Sequence, residues 1–586
     1  MNNQVNFIDG QDIFSFFQEY LLDEVKKGYP EIGTDKTSKC VVEAPKDQAH
    51  GDFSTNMALI LSKTVGQKPQ ILAQFLEEKL RVLPFVCATN IAGPGFLNWN
   101  VEKDYWVAHL KTVLQEGLHY GYRNYGQGEK VNIEYVSANP TGPLHIAHAR
   151  GAVVGDVLAS LLDKAGYDVV KEYYINDAGG QVDKLGLSVY LRYQELFGHN
   201  VELAEDGYPG DYVIDIAQKI KDQDGDIWLN KKDISYFKTF AVDSLMQDIR
   251  DDLEALGIHH DRFVSERHLV ETGKVSEILD ILQKKGLIYQ GVLEKPKGKV
   301  DSDWEERPQT LFRASDFGDT SDRPLQKADG SWTYFTSDIA NHYQKFLNGA
   351  KQVINVWGAD HAGYIKRCDV ALKVLTDSQA VFDVKICQLV RLIDKGEIIK
   401  MSKRSGKFVT LSDLIDKVGK DVVRFIMMTR RNDQHLDFDL QKVVDQSKDN
   451  PIFYVQYAHA RCNSVLRAAQ EQFPDINLDS RELYKALQEE TCFDEEVELL
   501  QKLLSWPRIF YQSVQFHEPH RVAFYLYELA GAFHALWNKG KDKTVLRFVH
   551  EDKRDFTQAR LAIIIAVKNV ISAGLNIFSI QPCDKM

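Results

Sequence analysis

Residues 131–162 read VNIEYVSANPTGPLHIAHARGAVVGDVLASLL. The stretch opens as a β-rich run, VNIEYVS, breaks at Asn139-Pro140-Thr141-Gly142-Pro143, and continues with helical patterning from HIAH to ASLL. A strand passing so quickly into a helix suits an open parallel sheet, where ligands gather at the carboxyl ends of the strands. There the helix start offers N–H groups without helical partners and a partial positive charge. His145 and His148 stand three residues apart, so both imidazoles share one face of the first turn. A triphosphate placed there would meet backbone donors and two imidazoles. Neither G-x-G-x-x-G nor G-x-x-x-x-G-K-[ST] occurs in the stretch, so phosphate binding here takes a different form. The competing reading is that the two histidines only cap and pack.

The rest of the chain sets the frame. With 586 residues it is too long for one core and predicts three or four domains. An apolar share of 44% and a charged share of 26% are those of a globular protein in water. No apolar run approaches the roughly 20 residues of a membrane span; residues 561–567 are stopped by Lys568. The start, MNNQVNFIDGQD, has neither the basic residues nor the apolar core of a secretory signal. Cys40, Cys87, Cys368, Cys387, Cys462, Cys492 and Cys583 are scattered without a CxxC pair. That predicts reduced thiols in a cytoplasm, no membrane partner and no cysteine zinc site. A net charge of −13 argues against a general nucleic-acid binder but leaves room for a local basic face.

Three blocks emerge. Residues 1–120 alternate helical runs (13–27, 69–83) with a short apolar strand (95–101), which predicts an α+β domain. Residues 121–440 alternate strand-like and helix-like segments, the pattern of an α/β parallel sheet, with a mostly helical insertion at about 183–290. Residues 441–586 carry helical periodicity and predict an all-α bundle.

A second chemical signal lies far downstream. Lys400-Met401-Ser402-Lys403-Arg404-Ser405-Gly406-Lys407 reads as a flexible cationic loop, and residues 391–431 hold 11 Lys or Arg against 5 Asp or Glu. Lysines on such a loop can close over a leaving pyrophosphate and neutralise charge in the transition state. Taken alone, the run is better read as a solvated surface cluster.

Taken together, HIAH and KMSKR resemble the HIGH and KMSKS signatures of the class I aminoacyl-tRNA synthetases, whose catalytic domain is a Rossmann-like parallel sheet. Ala147 stands where the first signature has Gly, a position that must stay small. Within that class the chain is similar to the arginyl-tRNA synthetases over nearly its whole length. The stretches that carry the likeness are HGDFSTNMAL, AGPGFLNW, EYVSANPTGPLHIAHARGAVVGD, EYYINDAGGQ, DGSWTYFTSDIANH, VWGADHAGY, KMSKRSGKFVTLSDL, LDFDL and YVQYAHAR.

The resemblance implies that arginine is activated with ATP and transferred to the terminal adenosine of a tRNA, the 2′-hydroxyl attacking first. It implies His145, His148, Lys400 and Lys403 as catalytic residues. ATP falls to Gly142, His145, Ala147, His148, Asp360, Met401 and Ser402, and arginine to Glu134, Asn139, His145, Glu266, Tyr334, Asp338 and His361. Asn176 and Asp177 line the site without a stated role. Magnesium accompanies ATP as part of the substrate, and no tightly bound cofactor, zinc or other protein-held metal is implied. The first block is expected to grip the tRNA elbow. The last is expected to bind the anticodon, with Tyr454, Tyr457 and His459 offered to unstacked bases. The expected state is a monomer in the cytoplasm. The family generally needs bound tRNA before it activates arginine; this chain keeps both signature lysines, which some relatives lack.

Two other readings stay open at this point. A nucleotidyltransferase of similar fold would need neither flanking block, and a synthetase-like RNA-binding protein without catalysis would not need the intact histidines and lysines.

Overall fold

The structure, a computed structural model, describes residues 12–32, 34–45, 47–231, 233–293, 306–399, 409–490 and 492–586. They form two compact units. One is residues 123–450; the other joins the stretch up to residue 122 with residues 451–586.

The larger unit is built on five parallel strands: β1 (Lys130–Glu134), β2 (Asp168–Ile175), β3 (Arg262–Ser265), β4 (Gln352–Gly358) and β5 (Val381–Cys387). They lie in the order β5-β4-β1-β2-β3, with Val131 opposite Val169 on one side and Gln352 on the other. The order reverses between β1 and β4, which opens a crevice at their carboxyl ends. Val131, Ile133, Tyr173, Val353 and Ile354 are buried, as a sheet covered on both faces requires. Asn132, Glu134, Glu172 and Asn355 break that apolar run and are buried too.

The strand expected through Ser137 ends at Glu134 instead. Val136 and Ser137 turn into the left-handed region, at φ 67° and 38°. For a β-branched valine this conformation is strained, and such strain is held only where surrounding contacts demand it. Here the turn brings Ser137 Oγ back to donate to Glu134 Oε1 (3.1 Å) and to accept from the Tyr174 amide (3.0 Å). The helix Ile146–Lys164 follows, packed so closely on the sheet that a Cβ at Gly155 would lie 2.2 Å from the Tyr135 ring.

Helices Gly180–Glu195, Asp211–Asp224 and Ile234–Ala255 pack around a core of their own that includes Leu185, Val189, Tyr193, Ile216, Phe237 and Leu245. The short β3 comes next and pairs with β2, so the stretch read as an insertion also delivers a strand of the main sheet. RFVS is too short for its periodicity to show in sequence.

The second unit combines a four-stranded antiparallel sheet, its helices and a helical bundle. Phe14, Phe17, Phe53, Trp99 and Trp106 form an aromatic core in its first segment. The first and last blocks of the sequence are joined inside this unit. Trp506 Nε1 donates to the Tyr120 carbonyl (2.8 Å), Tyr122 OH to the Ala573 carbonyl (2.7 Å), and Gln501 Nε2 to Asp52 Oδ1 (2.6 Å). Asp52, from the HGDFSTN stretch, also accepts from the Val101 amide (2.9 Å). Helix Arg554–Ile577 is long and apolar enough to cross a membrane by composition, but 78% of its apolar window is buried in the bundle.

Candidate active site

His145 is the N-cap of the helix Ile146–Lys164, and His148 Nδ1 accepts the His145 amide proton (3.2 Å). A neutral His148 ring therefore carries its own proton on Nε2. The two rings sit 3.9 Å apart, centroid to centroid, at the positive end of the helix. Beside them, Gly142 lies under Tyr212 of the helix Asp211–Asp224, whose hydroxyl donates to the Thr141 carbonyl (2.7 Å) and fixes the Asn-Pro-Thr-Gly-Pro loop.

The helix Ile146–Lys164 and the residues just before it are tied to the segment that follows the cationic loop. Thr410 bridges to His145, and the Leu411 amide donates to the Leu144 carbonyl (2.9 Å). Fully buried Arg150 donates to the carbonyls of Gln388 (3.0 Å), Arg431 (2.7 Å) and Gln434 (2.5 Å). Asp156 pairs with buried Arg424 at 2.5 Å. Lys400, Met401, Ser402 and Lys403 lie outside the described residues. The chain on their carboxyl side reaches the histidine pair.

Acidic side chains gather near the end of β1 and form a candidate pocket. Glu134 ends β1, Glu266 begins the turn after β3, and Asp338 sits one turn into the helix Tyr334–Leu347. Burial pushes the Glu266 carboxyl up to about 7; a hydrogen bond from Ser337 opposes the rise and Asp177 adds to it. Glu266 Oε2 is buried with no hydrogen-bond partner among the described residues. Asp338 is also raised well above the carboxylate range, by burial and then by Glu134 and Glu266, against the opposing pull of Tyr364 and Lys345. Glu266 and Asp338, both kept from ionising by burial, make with neighbouring Glu134 a strong receptor for an extended cation. A planar guanidinium fits best, because its five donors can satisfy several acceptors at once.

The surrounding residues hold this arrangement. Asp177 accepts from Ser265 Oγ (2.6 Å) and the Arg267 amide (3.0 Å), which fixes the turn carrying Glu266. Asn176 donates to Asn139 Oδ1 (2.9 Å), and Asn139 donates to Gln181 (2.9 Å), at the exposed rim. Tyr334 is 45% exposed, with its hydroxyl over Gly179 at the same rim. Asp360 and His361 are exposed in the turn after β4, 3.5 Å apart.

Sequence reasoning missed Tyr174. Its hydroxyl is buried without a hydrogen-bond partner among the described residues. Burial, and then Glu266, Asp338, Glu134 and Asp177, push its ionisation far up. The double tyrosine of EYYIND was visible, but nothing local says which ring turns toward the carboxylates. Lys345 was missed for the same reason.

In the bundle, Tyr454 and Tyr457 flank His534 at 4.5 and 5.5 Å, and the Arg461 guanidinium lies 4.2 Å over Tyr457. His459 is placed differently: it is buried, its Nδ1 2.7 Å from the Cys583 carbonyl.

A β5-β4-β1-β2-β3 sheet with paired histidines at its first helix fits a class I aminoacyl-tRNA synthetase, and the comparisons show that class. Residues 109–466 match the family described as tRNA synthetases class I (R), catalytic domain. Residues 16–101 match the arginyl tRNA synthetase N terminal domain, and residues 455–586 the DALR anticodon binding domain. The chain belongs to the arginyl-tRNA synthetase family. It is 50% identical to the arginine–tRNA ligase of Ruegeria pomeroyi over 93% of this chain and 94% of that one. It is also 50% identical to the arginine–tRNA ligase of Parvibaculum lavamentivorans over 98% of this chain and all of that one. The solved structure of Thermus thermophilus arginyl-tRNA synthetase shares the fold, with a TM-score of 0.74 at 19% identity, over 98% of this chain and 100% of that one.

Proposed function

We propose that this chain joins arginine to its tRNA in two steps, with the buried acidic cluster of Glu134, Glu266 and Asp338 as the observation that carries the reading. Glu266, Asp338 and Tyr334 receive the guanidinium. Glu134 and Asn139 hold the α-ammonium end, with His361 nearby. The arginine carboxylate, turned toward His145, attacks the α-phosphorus of ATP; the bond to the bridging oxygen breaks and pyrophosphate leaves. Gly142, Ala147 and Asp360 line the nucleotide side, together with Met401 and Ser402. His148, Lys400 and Lys403 offset charge on the phosphates as it develops. Magnesium enters with ATP. The terminal 2′-hydroxyl of tRNA then attacks the arginyl carbonyl and AMP departs. Catalysis rests on alignment and charge stabilisation rather than on a protein acid or base.

The division of labour follows the three blocks: residues 1–120 at the tRNA elbow, 121–440 in catalysis, and 441–586 at the anticodon. Tyr454 and Tyr457 are the aromatic surfaces for bases; His459 supports the helix that carries them. The working state is a cytoplasmic monomer without a membrane partner.

ATP–pyrophosphate exchange with each amino acid in turn tests this reading. Exchange with arginine alone, near background until cognate tRNA is added, is the expected result. Exchange driven by another amino acid, or none with arginine in the presence of tRNA, would overturn it.

A further inference from the structure

Tyr334, Asp338, Asn341 and Lys345 fall at i, i+4, i+7 and i+11 of one helix and so share one face. The first two belong to the pocket. The last two lie beneath it, both buried. Lys345 Nζ donates to Glu134 Oε2 at 2.5 Å and lies 3.4 Å from Glu172 Oε1. Asn341 Nδ2 spans the same two carboxylates, at 3.2 and 3.3 Å. Asn132 Nδ2 donates to the remaining oxygen of Glu172 (3.0 Å), and Ser137 Oγ to the remaining oxygen of Glu134 (3.1 Å).

A buried ammonium inside a cation receptor is at first sight misplaced. Its position explains it. Glu134 and Glu172 end up close together on adjacent strands, and two buried carboxylates without a cation would be driven to take up a proton. Glu134 would then present a hydroxyl in place of a negative charge. The second acceptor lobe of Glu134 would also lose its anchor. Lys345 answers both problems from within the protein interior, and Glu172 shares its charge.

We propose that Lys345 is a positioning residue that acts through Glu134, holding it as a fixed carboxylate for the α-ammonium of the amino acid. The inference rests on the reading of Glu134 as part of the arginine site. Lys345→Met keeps the length of the side chain and removes the charge. It should raise the arginine KM by about 10–100-fold, the loss of one or two charge-assisted hydrogen bonds, and change the ATP KM less than about threefold. Adding Glu172→Gln removes the second carboxylate, so that Glu134 no longer faces a like charge. The double variant should recover most of the lost arginine affinity, which a side chain needed only for packing would not allow.

If Lys345→Met does not fold, the double variant decides: an arginine KM within about fivefold of wild type supports the proposal. Equal rises in both KM values, or a double variant no better than the single one, would overturn it. Glu134→Gln run in parallel separates the two levels. If Glu134→Gln raises the arginine KM and Lys345→Met does not, the positioning role fails and the site reading stands. If Glu134→Gln leaves it unchanged, the site reading itself fails, and with it the role given to Lys345.

Discussion

The histidine helix start and the acidic pocket are built in opposite ways. The histidines come from one turn of one helix, neighbours in sequence, at the edge of the protein interior. The pocket gathers Glu134, Tyr174, Glu266 and Asp338 from separate elements of the unit and buries most of them. The difference follows from what each must hold. On the proposed reading, phosphates bring their own charge and water, and a helix start suffices. A guanidinium must be told apart from other cations, and that needs desolvated acceptors at fixed places.

The largest effect expected from this contrast is discrimination at the pocket. Lysine offers one compact ammonium and citrulline no charge, so each leaves buried acceptors unpaired. Their kcat/KM should fall below that of arginine by roughly 10⁴ or more. A ratio near ten would mean that the pocket reads charge alone.

The histidine side is expected to act on rate instead. His148→Ala should slow arginine activation about 10²–10³-fold with little change in the arginine KM. Lys403→Ala carries the same expectation. Single-turnover rates that stay at the wild-type level would remove that group from the phosphate site.

Next comes a pH effect confined to the pocket. Empty, Glu266 keeps its proton until about pH 7, because burial opposes its charge. Guanidinium favours the ionised form, so arginine binding below that pH expels a proton. Affinity should therefore rise as pH climbs toward about 7, by at most about tenfold per pH unit, and then level off. Asp338 and Asp177 face the same space, so the comparison to make is with Glu266→Gln, which should flatten the Glu266 part of the curve. In the ligand-free protein the sign reverses. Between its ordinary value and about 7, Glu266 binds more protons folded than unfolded, so it subtracts stability as pH rises through that window. Thermal midpoints of wild type and Glu266→Gln should separate there, with the variant declining less.

The smallest expected change is Tyr174→Phe. It removes a buried hydroxyl that has no partner in the described residues and leaves the ring in place. If that hydroxyl completes the shell around the bound cation, the arginine KM rises several-fold, roughly 1 kcal/mol, while the empty protein gains stability. An unchanged KM would make Tyr174 only a wall.

This contrast also governs what could be read in advance. HIAH and the loop before it form one contiguous stretch, as does KMSKR, so each motif shows in the sequence, but only their pairing and the family likeness gave them a role. The parallel sheet was legible too, from alternation of strand and helix. Glu266 and Asp338 became visible only through family likeness, because no spacing connects positions on different elements. Tyr174, Asn341 and Lys345 were not visible at all. Their importance comes from a sheet order and a helix face that exist only once the chain is folded. The early end of β1 escaped for the same reason: no propensity places Val136 at φ 67°, whereas the pull of Ser137 on Glu134 does.

The discontinuous unit sets a clock on the making of this protein. Asp52, Tyr120 and Tyr122 find their partners on Gln501, Trp506 and Ala573, with all of residues 123–450 synthesised in between. At roughly 5–20 residues per second, the first segment leaves the ribosome tens of seconds before the surface that completes it. During that time its aromatic core can form, since Phe17, Phe53, Trp99 and Trp106 are all present, but one face stays uncovered. Residues 123–450, a compact unit in themselves, are synthesised inside that interval. A slow stretch of translation after residue 450 would lengthen the exposure of the early segment without touching the active site, so lost yield and lost activity would have separate causes in this chain.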